Sequence, residues 1–480
     1  MTFAAMSPAG KNPRSSFVPA WVNDAVFYQI FPERFANGDR SNDPPGTEPW
    51  GGLPGSRNYF GGDLQGIIDH LDYLSGLGIN AIYLNPIFAS NTNHKYQTSD
   101  YLKIDPHFGD EATFSRLVER CHARGIRIIL DGVFNHTGVD FFAFADLKEQ
   151  GASSKYRGWY NVYSFPVAPV QKPNYECWWG YGSLPKLMTE NPDVRSYLFK
   201  VTRYWMERGI DGWRLDVTNE IPHGFWIEWC KLVKSIDPDA YIVGEIWDDA
   251  TPWLGGDQFD AVMNYRFRNA CLGFFATGAM LPSSFDSSLA AVRGQYREDV
   301  SFVLQNLLGS HDTERILTMC GGDKAAVGLA VLFQMTYLGA PMVYYGDEVG
   351  MEGGKDPHCR GTMVWDESKQ DTGLLSLYRE AIALRMAYPV LRHGSFVRRL
   401  TDDVHRVYGF ERTSGDSRAL VLLNNGKERR RVSLPLAGEH SGILWRQAWP
   451  VKTDSVYSGE KRIDITIAPK AGVVFIGGRK

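Results

Sequence analysis

Eight short apolar runs, separated by stretches most of which carry a helical pattern, constrain this chain more than any other feature. They fall at residues 25–31, 79–84, 127–134, 212–217, 240–246, 261–265, 301–309 and 341–346. The runs are rich in Val, Ile, Tyr and Phe and mostly apolar throughout, as strands buried on both faces should be. Between them Leu64, Ile67, Ile68, Leu71 and Leu74, and then Phe114, Leu117, Val118 and Cys121, recur at helical spacing. Gly78 and Gly125 follow these two patterns as C-terminal caps would. Further helices are predicted over 192–208, 224–236, 287–297, 324–338 and 373–387, and the connection over 247–260 is the weakest of the series. Eight strands with intervening helices predict an α/β fold, a (β/α)8 TIM barrel. The alternative is an open doubly wound sheet, which usually carries a Gly-rich phosphate loop, and the sequence has none.

Two intervals break the rhythm. The gap between the third and fourth runs is about 75 residues, a length at which loops are usually functional. Residues 137–190, rich in Trp, Tyr, Gly and Pro, read as an inserted domain. After residue 390 the pattern changes to short runs at 396–400, 405–412, 418–424, 431–435, 442–448 and 462–476. Alternation such as Val432-Ser433-Leu434 and Ile463-Asp464-Ile465-Thr466-Ile467 marks antiparallel strands with one wet face. The division is therefore a flexible arm over 1–19, a barrel over 20–136 and 191–390, an inserted domain over 137–190, and a C-terminal antiparallel β-sandwich over 391–480. A net charge of −4 leaves no electrostatic footprint for nucleic acid. No run of about 20 apolar residues suggests a membrane span. The six cysteines are scattered and form no paired motif. The N-terminus shows no signal-peptide pattern, so a cytoplasmic protein is expected, with a mature secreted form as the alternative.

The chemistry lies where runs end. Asp216, Glu245 and Asp312 close the fourth, fifth and seventh. In a barrel these ends share one mouth, where catalytic groups sit. A single strand-end acid reads as a turn or cap, but three of them, beside Arg214 and His311, are costly to bury unless paired or used. Close carboxylates push their pKa values apart, which separates an acid from a nucleophile, and glycosidic bond cleavage needs such a pair.

Four segments, Asp131-Gly132-Val133-Phe134-Asn135-His136, Gly212 to Val217, Gly244-Glu245-Ile246-Trp247 and Ser310-His311-Asp312, resemble the motifs of the α-amylase family, glycoside hydrolase family 13. Leu184-Pro185-Lys186-Leu187 and Val217-Thr218-Asn219-Glu220 resemble, with Leu184 for Met and Thr218 for Ala, motifs of its neopullulanase, cyclomaltodextrinase and maltogenic amylase group. The resemblance implies an endo-type retaining hydrolase of α-1,4 bonds in starch, maltooligosaccharides, pullulan and cyclodextrins, with some transglycosylation. In it Asp216 is the nucleophile, held ionised by Arg214. Glu245 protonates the leaving oxygen and then activates water, and Asp312 binds hydroxyls of the distorted sugar. His136 and His311 donate to the same glucose, Tyr96 stacks beneath it, and Asp356 and Arg360 hold the next sugar toward the non-reducing end. Asp131 and Asn135 support the site. A retaining pair stands about 5–5.5 Å apart.

Asn37-Gly38-Asp39-Arg40-Ser41-Asn42-Asp43 and Gly61-Gly62-Asp63 are dense in oxygen donors. Asn, Asp and Gly also favour turns without a metal. The segment resembles a calcium loop of that group, which implies a structural Ca2+ on Asn37, Asp39, Asn42, Asp43, Asp63 and the Gly61 carbonyl. The group's N-terminal β-domain has no counterpart before the first run, so a monomer with an open cleft is expected, acting on α-glucans. A predominant transglycosylase is the nearer alternative, and a non-catalytic carbohydrate-binding protein on the same barrel the remoter one.

Overall fold

The computed structural model describes residues 18–435, 443–450, 456–458 and 462–479. All of the arm expected over 1–19 except Val18 and Pro19 lies outside the described residues. Among the described residues no helix is long and apolar enough to cross a membrane.

Eight parallel strands form the central sheet: β1 (Phe27–Ile30), β2 (Ala81–Leu84), β3 (Arg127–Gly132), β4 (Gly212–Leu215), β5 (Tyr241–Gly244), β6 (Ala261–Val262), β7 (Gln305–Leu307) and β8 (Ala340–Tyr344). The order is β6-β5-β4-β3-β2-β1-β8-β7. A parallel bridge between Met263 and Gln305 nearly closes the ring, with the Asn264 amide donating to the Gln305 carbonyl at 2.8 Å. This is the barrel that the eight apolar runs imply. Almost every strand residue is buried, because helices cover the outside and side chains fill the inside.

Some elements are shorter than their apolar runs. β6 stops at Val262 because the Asn264 side chain accepts from the Phe267 amide at 3.0 Å and starts the helix Tyr265–Cys271. β7 begins only at Gln305, because Glu298–Ser301 is a helical turn. The helix predicted over 64–77 is two helices, Leu64–Asp69 and Leu71–Leu77, meeting at His70. The weak connection between β5 and β6 holds a single 3-10 turn, Thr251–Trp253.

Between β3 and the helix Pro192–Met206 that precedes β4, the chain forms the helix Phe142–Gln150 and a loop system joined by isolated bridges, among them His136 to Lys186 and Tyr160 to Leu187. After the barrel a six-stranded antiparallel sheet faces a two-stranded one, Arg430–Pro435 with Arg462–Ile467. Val407, Leu420, Leu422 and Phe475 of the larger sheet pack with Val432, Leu434, Ile465 and Ile467 of the smaller. The run read as one strand over 462–476 is two, Arg462–Ile467 and Ala471–Arg479. Pro469, which has no amide to donate, lies in the turn between them.

Candidate active site

β4 carries the centre of the site. It pairs with β3 and β5, with Gly212 opposite Ile129 and Tyr241. A Cβ on Gly212 would lie 2.1 Å from the Tyr241 carbonyl oxygen, so only glycine lets β4 approach β5 this closely. Two residues on, Arg214 points to the barrel mouth and is wholly buried. Its Nη1 donates to Asp131 Oδ1 and to Asp216 Oδ1, each at 2.9 Å. Its Nη2 lies 3.0 Å from Glu245 Oε2. One guanidinium thus joins carboxylates from the ends of β3, β4 and β5.

One positive charge facing three buried carboxylates leaves an excess of negative charge. Burial pushes the Asp216 carboxyl well up, Arg214 opposes this, and Glu245 and Asp131 add to it. Burial also raises Asp131 against the pull of Arg214. The cluster therefore holds on to a proton that isolated carboxylates would lose. The residue after Asp216, Val217, has φ +46° and ψ +44°. This left-handed conformation is costly for a β-branched side chain, and it turns the Val217 amide onto Glu245 Oε2 at 3.2 Å. Trp247 Nε1 donates to the other oxygen, Oε1, at 3.1 Å.

A second group of side chains comes from the segments that follow β7 and β8 and from the β2–β3 connection. Arg360 Nη2 reaches Asp312 Oδ1 and Nη1 reaches Asp356 Oδ1, both at 3.1 Å. Its Nε donates to the His311 carbonyl at 2.8 Å. The Tyr96 hydroxyl sits 2.7 Å from His311 Nε2 and donates to Asp131 Oδ2 at 2.9 Å. The Tyr96 and His311 rings are parallel within 3°. Burial, with Arg360 and Arg214 nearby, holds His311 well below the ordinary histidine range. Burial brings His136 to about 4. Both shifts favour the neutral imidazole, in which one ring nitrogen donates and the other accepts. His136 is 2% exposed and its Nε2 has no partner, which leaves a polar atom for a bound hydroxyl to satisfy.

All nine side chains singled out for catalysis and substrate binding stand at this mouth or bond to groups there. Several contributors carried no sequence signal. Tyr83 donates to Asp131 Oδ2 at 2.6 Å, and Gln29 contacts His311 Nδ1 at 2.8 Å. Tyr265 stacks on Trp247 at 3.7 Å. Trp178, whose indole faces His136 at 5.9 Å, stacks on the exposed Trp179 at 5.0 Å. Trp179 Nε1 in turn donates to Glu220 Oε1 at 2.9 Å. The aromatic richness of 137–190 was the available hint, but it pointed to a region and not to these residues.

The oxygen-rich loop follows β1 in the chain and ends at the start of the helix Leu64–Asp69. Asp63 organises it: its carboxylate accepts from the amides of Gly38, Asp39 and Gly66 and from Asn42 Nδ2. Gly61, at φ +82°, lets Asp43 and Asn37 close in, since a Cβ there would meet Asp43 Oδ1 at 2.2 Å. Asn37 Oδ1 and Asn42 Oδ1 are buried without partners. Orphaned amide oxygens beside carboxylates suit a hard, oxygen-seeking cation. Among the described residues no group of three or more His, Cys, Asp or Glu side chains is placed to hold a metal ion. Any cation here would depend on amide and carbonyl oxygens as much as on carboxylates.

Residues 29–376 match the family model for the alpha amylase catalytic domain. Neopullulanase 2 of Thermoactinomyces vulgaris is 51% identical over 464 residues, spanning 96% of this chain and 79% of that protein. A cyclomaltodextrinase of a Bacillus species is 51% identical over 437 residues, spanning 90% and 78%. Among solved structures, the ligand-free cyclic α-maltosyl-(1→6)-maltose hydrolase of Arthrobacter globiformis has a TM-score of 0.88 at 43% identity, covering 96% of this chain and 99% of that one.

Proposed function

The chain belongs to the α-amylase family of glycoside hydrolases, and on that premise we propose that it is a retaining, endo-acting hydrolase of α-1,4-linked glucans. The observation that carries this reading is the bridging of Asp216 and Glu245 by the one Arg214 guanidinium. Two carboxyl groups held side by side with an incomplete charge balance can divide into one ionised and one protonated member.

In this reading Asp216 attacks the anomeric carbon while Glu245 gives its proton to the departing glycosidic oxygen. The bond to the leaving sugar breaks as the ester to Asp216 forms. Glu245, now ionised, takes a proton from water, and the resulting hydroxide equivalent displaces Asp216 from the opposite face. Arg214 then again pairs with a free carboxylate. Asp312 and the neutral His136 and His311 bind hydroxyls of the reacting sugar, Tyr96 stacks beneath it, and Arg360 with Asp356 holds the next sugar. A sugar hydroxyl replacing water in the second step gives transglycosylation. Asn37, Asp39, Asn42, Asp43, Asp63 and the Gly61 carbonyl would hold a calcium ion, which would supply cross-linking of the loop and no step of the chemistry.

Digestion of pullulan, followed by NMR of the first products, tests the reading. The expected product is panose released in the α-anomeric form. A first-formed β-anomer would overturn retention, and maltotriose as the product would mean that the α-1,6 bond is the one cut. Products longer than the substrate from maltotriose would report transfer.

A further inference from the structure

We propose that Arg34, held by its neighbour Glu33, is a positioning residue that sets the Asp312–Arg360 arm of the site; this rests on the sugar-binding roles read above for Asp312 and Arg360. Both residues of the pair are buried, Arg34 at 1% and Glu33 at 2% exposure, a costly arrangement for charges unless they are fully bonded. They are bonded on every side. Arg34 Nε donates to Glu33 Oε2. Glu33 Oε1 accepts from the Phe60 amide and, at 3.1 Å, from the Gly61 amide. The Arg34 guanidinium lies 4.8 Å from the centre of the Phe60 ring.

The remaining donors of Arg34 reach out to the loops that build the sugar-binding arm. Nη1 donates to the backbone carbonyl of Arg360 at 2.9 Å. Nη2 donates to the Asn58 carbonyl at 3.0 Å, a carbonyl that also receives Asn93 Nδ2 at 2.9 Å. Three residues after Asn93 comes Tyr96, which meets His311 and Asp131. The Arg34 carbonyl accepts from the Met363 amide at 2.8 Å, three residues beyond Arg360. The Arg34 side chain thus ties the 55–58 segment to the Arg360 backbone, its carbonyl holds Met363, and the 91–96 segment joins through Asn93 on the same Asn58 carbonyl. The Arg360 side chain then reaches Asp312, Asp356 and the His311 carbonyl from a backbone that Arg34 holds. Arg34 acts through Arg360 and not on the sugar. Its planar fork makes it more than a charge, since a lysine could serve only part of this set of acceptors.

The test compares Arg34→Met, Arg34→Lys, Arg360→Ala and the Arg34→Met/Arg360→Ala double variant, with kcat/KM on maltotriose and thermal midpoints measured for each. Arg34→Met is expected to lower kcat/KM about tenfold or more, the scale of one charge-assisted hydrogen bond, and Arg34→Lys to recover part of it. The double variant is expected to match Arg360→Ala within about twofold, because residues acting in series are not additive. Glu33→Gln/Arg34→Met removes the stranded carboxylate and replaces Arg34→Met if that variant does not fold. Losses that multiply in the double variant would overturn the proposal. So would a lowered midpoint with unchanged kcat/KM in the Arg34 variants beside an impaired Arg360→Ala. An unimpaired Arg360→Ala would instead remove the reading of Arg360 itself, and the proposal with it.

Discussion

Arg214 does at residue scale what no single carboxylate could. It makes three acids tolerable in one buried spot, but its single positive charge cannot balance all three if they ionise together. The proposed division of labour between Asp216 and Glu245 can be separated experimentally. Asp216→Asn keeps shape and removes the attacking oxygen, so turnover is expected to fall on the order of a thousandfold or more, with the thermal midpoint largely kept. Glu245→Gln is expected to lose activity on maltotriose far more than on a glucoside with an activated aryl leaving group, which departs without a proton. Equal losses on the two substrates would remove Glu245 as the proton donor. The identities of these residues were legible in the sequence, because an acid at the end of an apolar run is conspicuous. The strained Val217, the bare His136 Nε2 and the Trp178–Trp179 stack were not. Val217 and Trp179 are set by left-handed backbone angles, and the state of His136 Nε2 by what the fold packs around it, none of which periodicity records.

At the scale of elements, the barrel strands bring residues far apart in sequence to one mouth, and their opposite ends carry a separate set of contacts. The helix Glu111–His122 is tied to the start of β4 by His122 Nε2 on Asp211 Oδ2 at 2.8 Å. Asp211 also receives Arg127 Nη1 at 2.7 Å from the start of β3. The hydrogen bond to Asp211 raises the His122 pKa. A base raised on folding stabilises the fold fully below its unfolded value, about 6.5. That contribution is lost as pH rises through the higher folded value. The His122 side chain is 42% exposed, so solvent screening keeps the contribution modest. The thermal midpoint of the protein is expected to exceed that of His122→Gln below pH 6.5, with the gap closing as pH rises toward 9. A gap independent of pH would assign the contact to packing alone. Element types were legible from periodicity. Their ends were less so, because Asn264 and His70 stop or break elements through tertiary contacts and caps that periodicity does not record.

At the scale of the whole molecule, two features hold parts together. Arg412 of the C-terminal sheet donates to the Thr336 carbonyl at the end of a barrel helix at 2.9 Å and to the Leu391 carbonyl at 2.6 Å. Arg385 caps the Gly339 carbonyl at 2.7 Å just before β8. The second feature is the 37–63 loop, whose orphaned oxygens motivate the proposed calcium. An ion that binds only the folded state adds ~2.7 kcal/mol at a hundredfold excess over its Kd. Chelation is therefore expected to lower the melting temperature and added Ca2+ to restore it, with Asn37→Ala/Asp43→Ala insensitive to both. A calcium-loaded sample whose transition is unmoved by chelation would mean that the loop holds no structural calcium.

The sequence by itself determined the barrel, the order of its strands along the chain and the three acids proposed for catalysis, because apolar period and an acid closing an apolar run are local properties. It also carried the loop of oxygen donors. Only the tertiary structure decided how these residues are used. It placed Asp131, Asp216 and Glu245 on one guanidinium, put Arg34 behind Arg360, and left His136 Nε2 and two amide oxygens unsatisfied. Those facts depend on distances between residues tens to hundreds of positions apart, and closure of the ring sets such distances once every strand has found its neighbour.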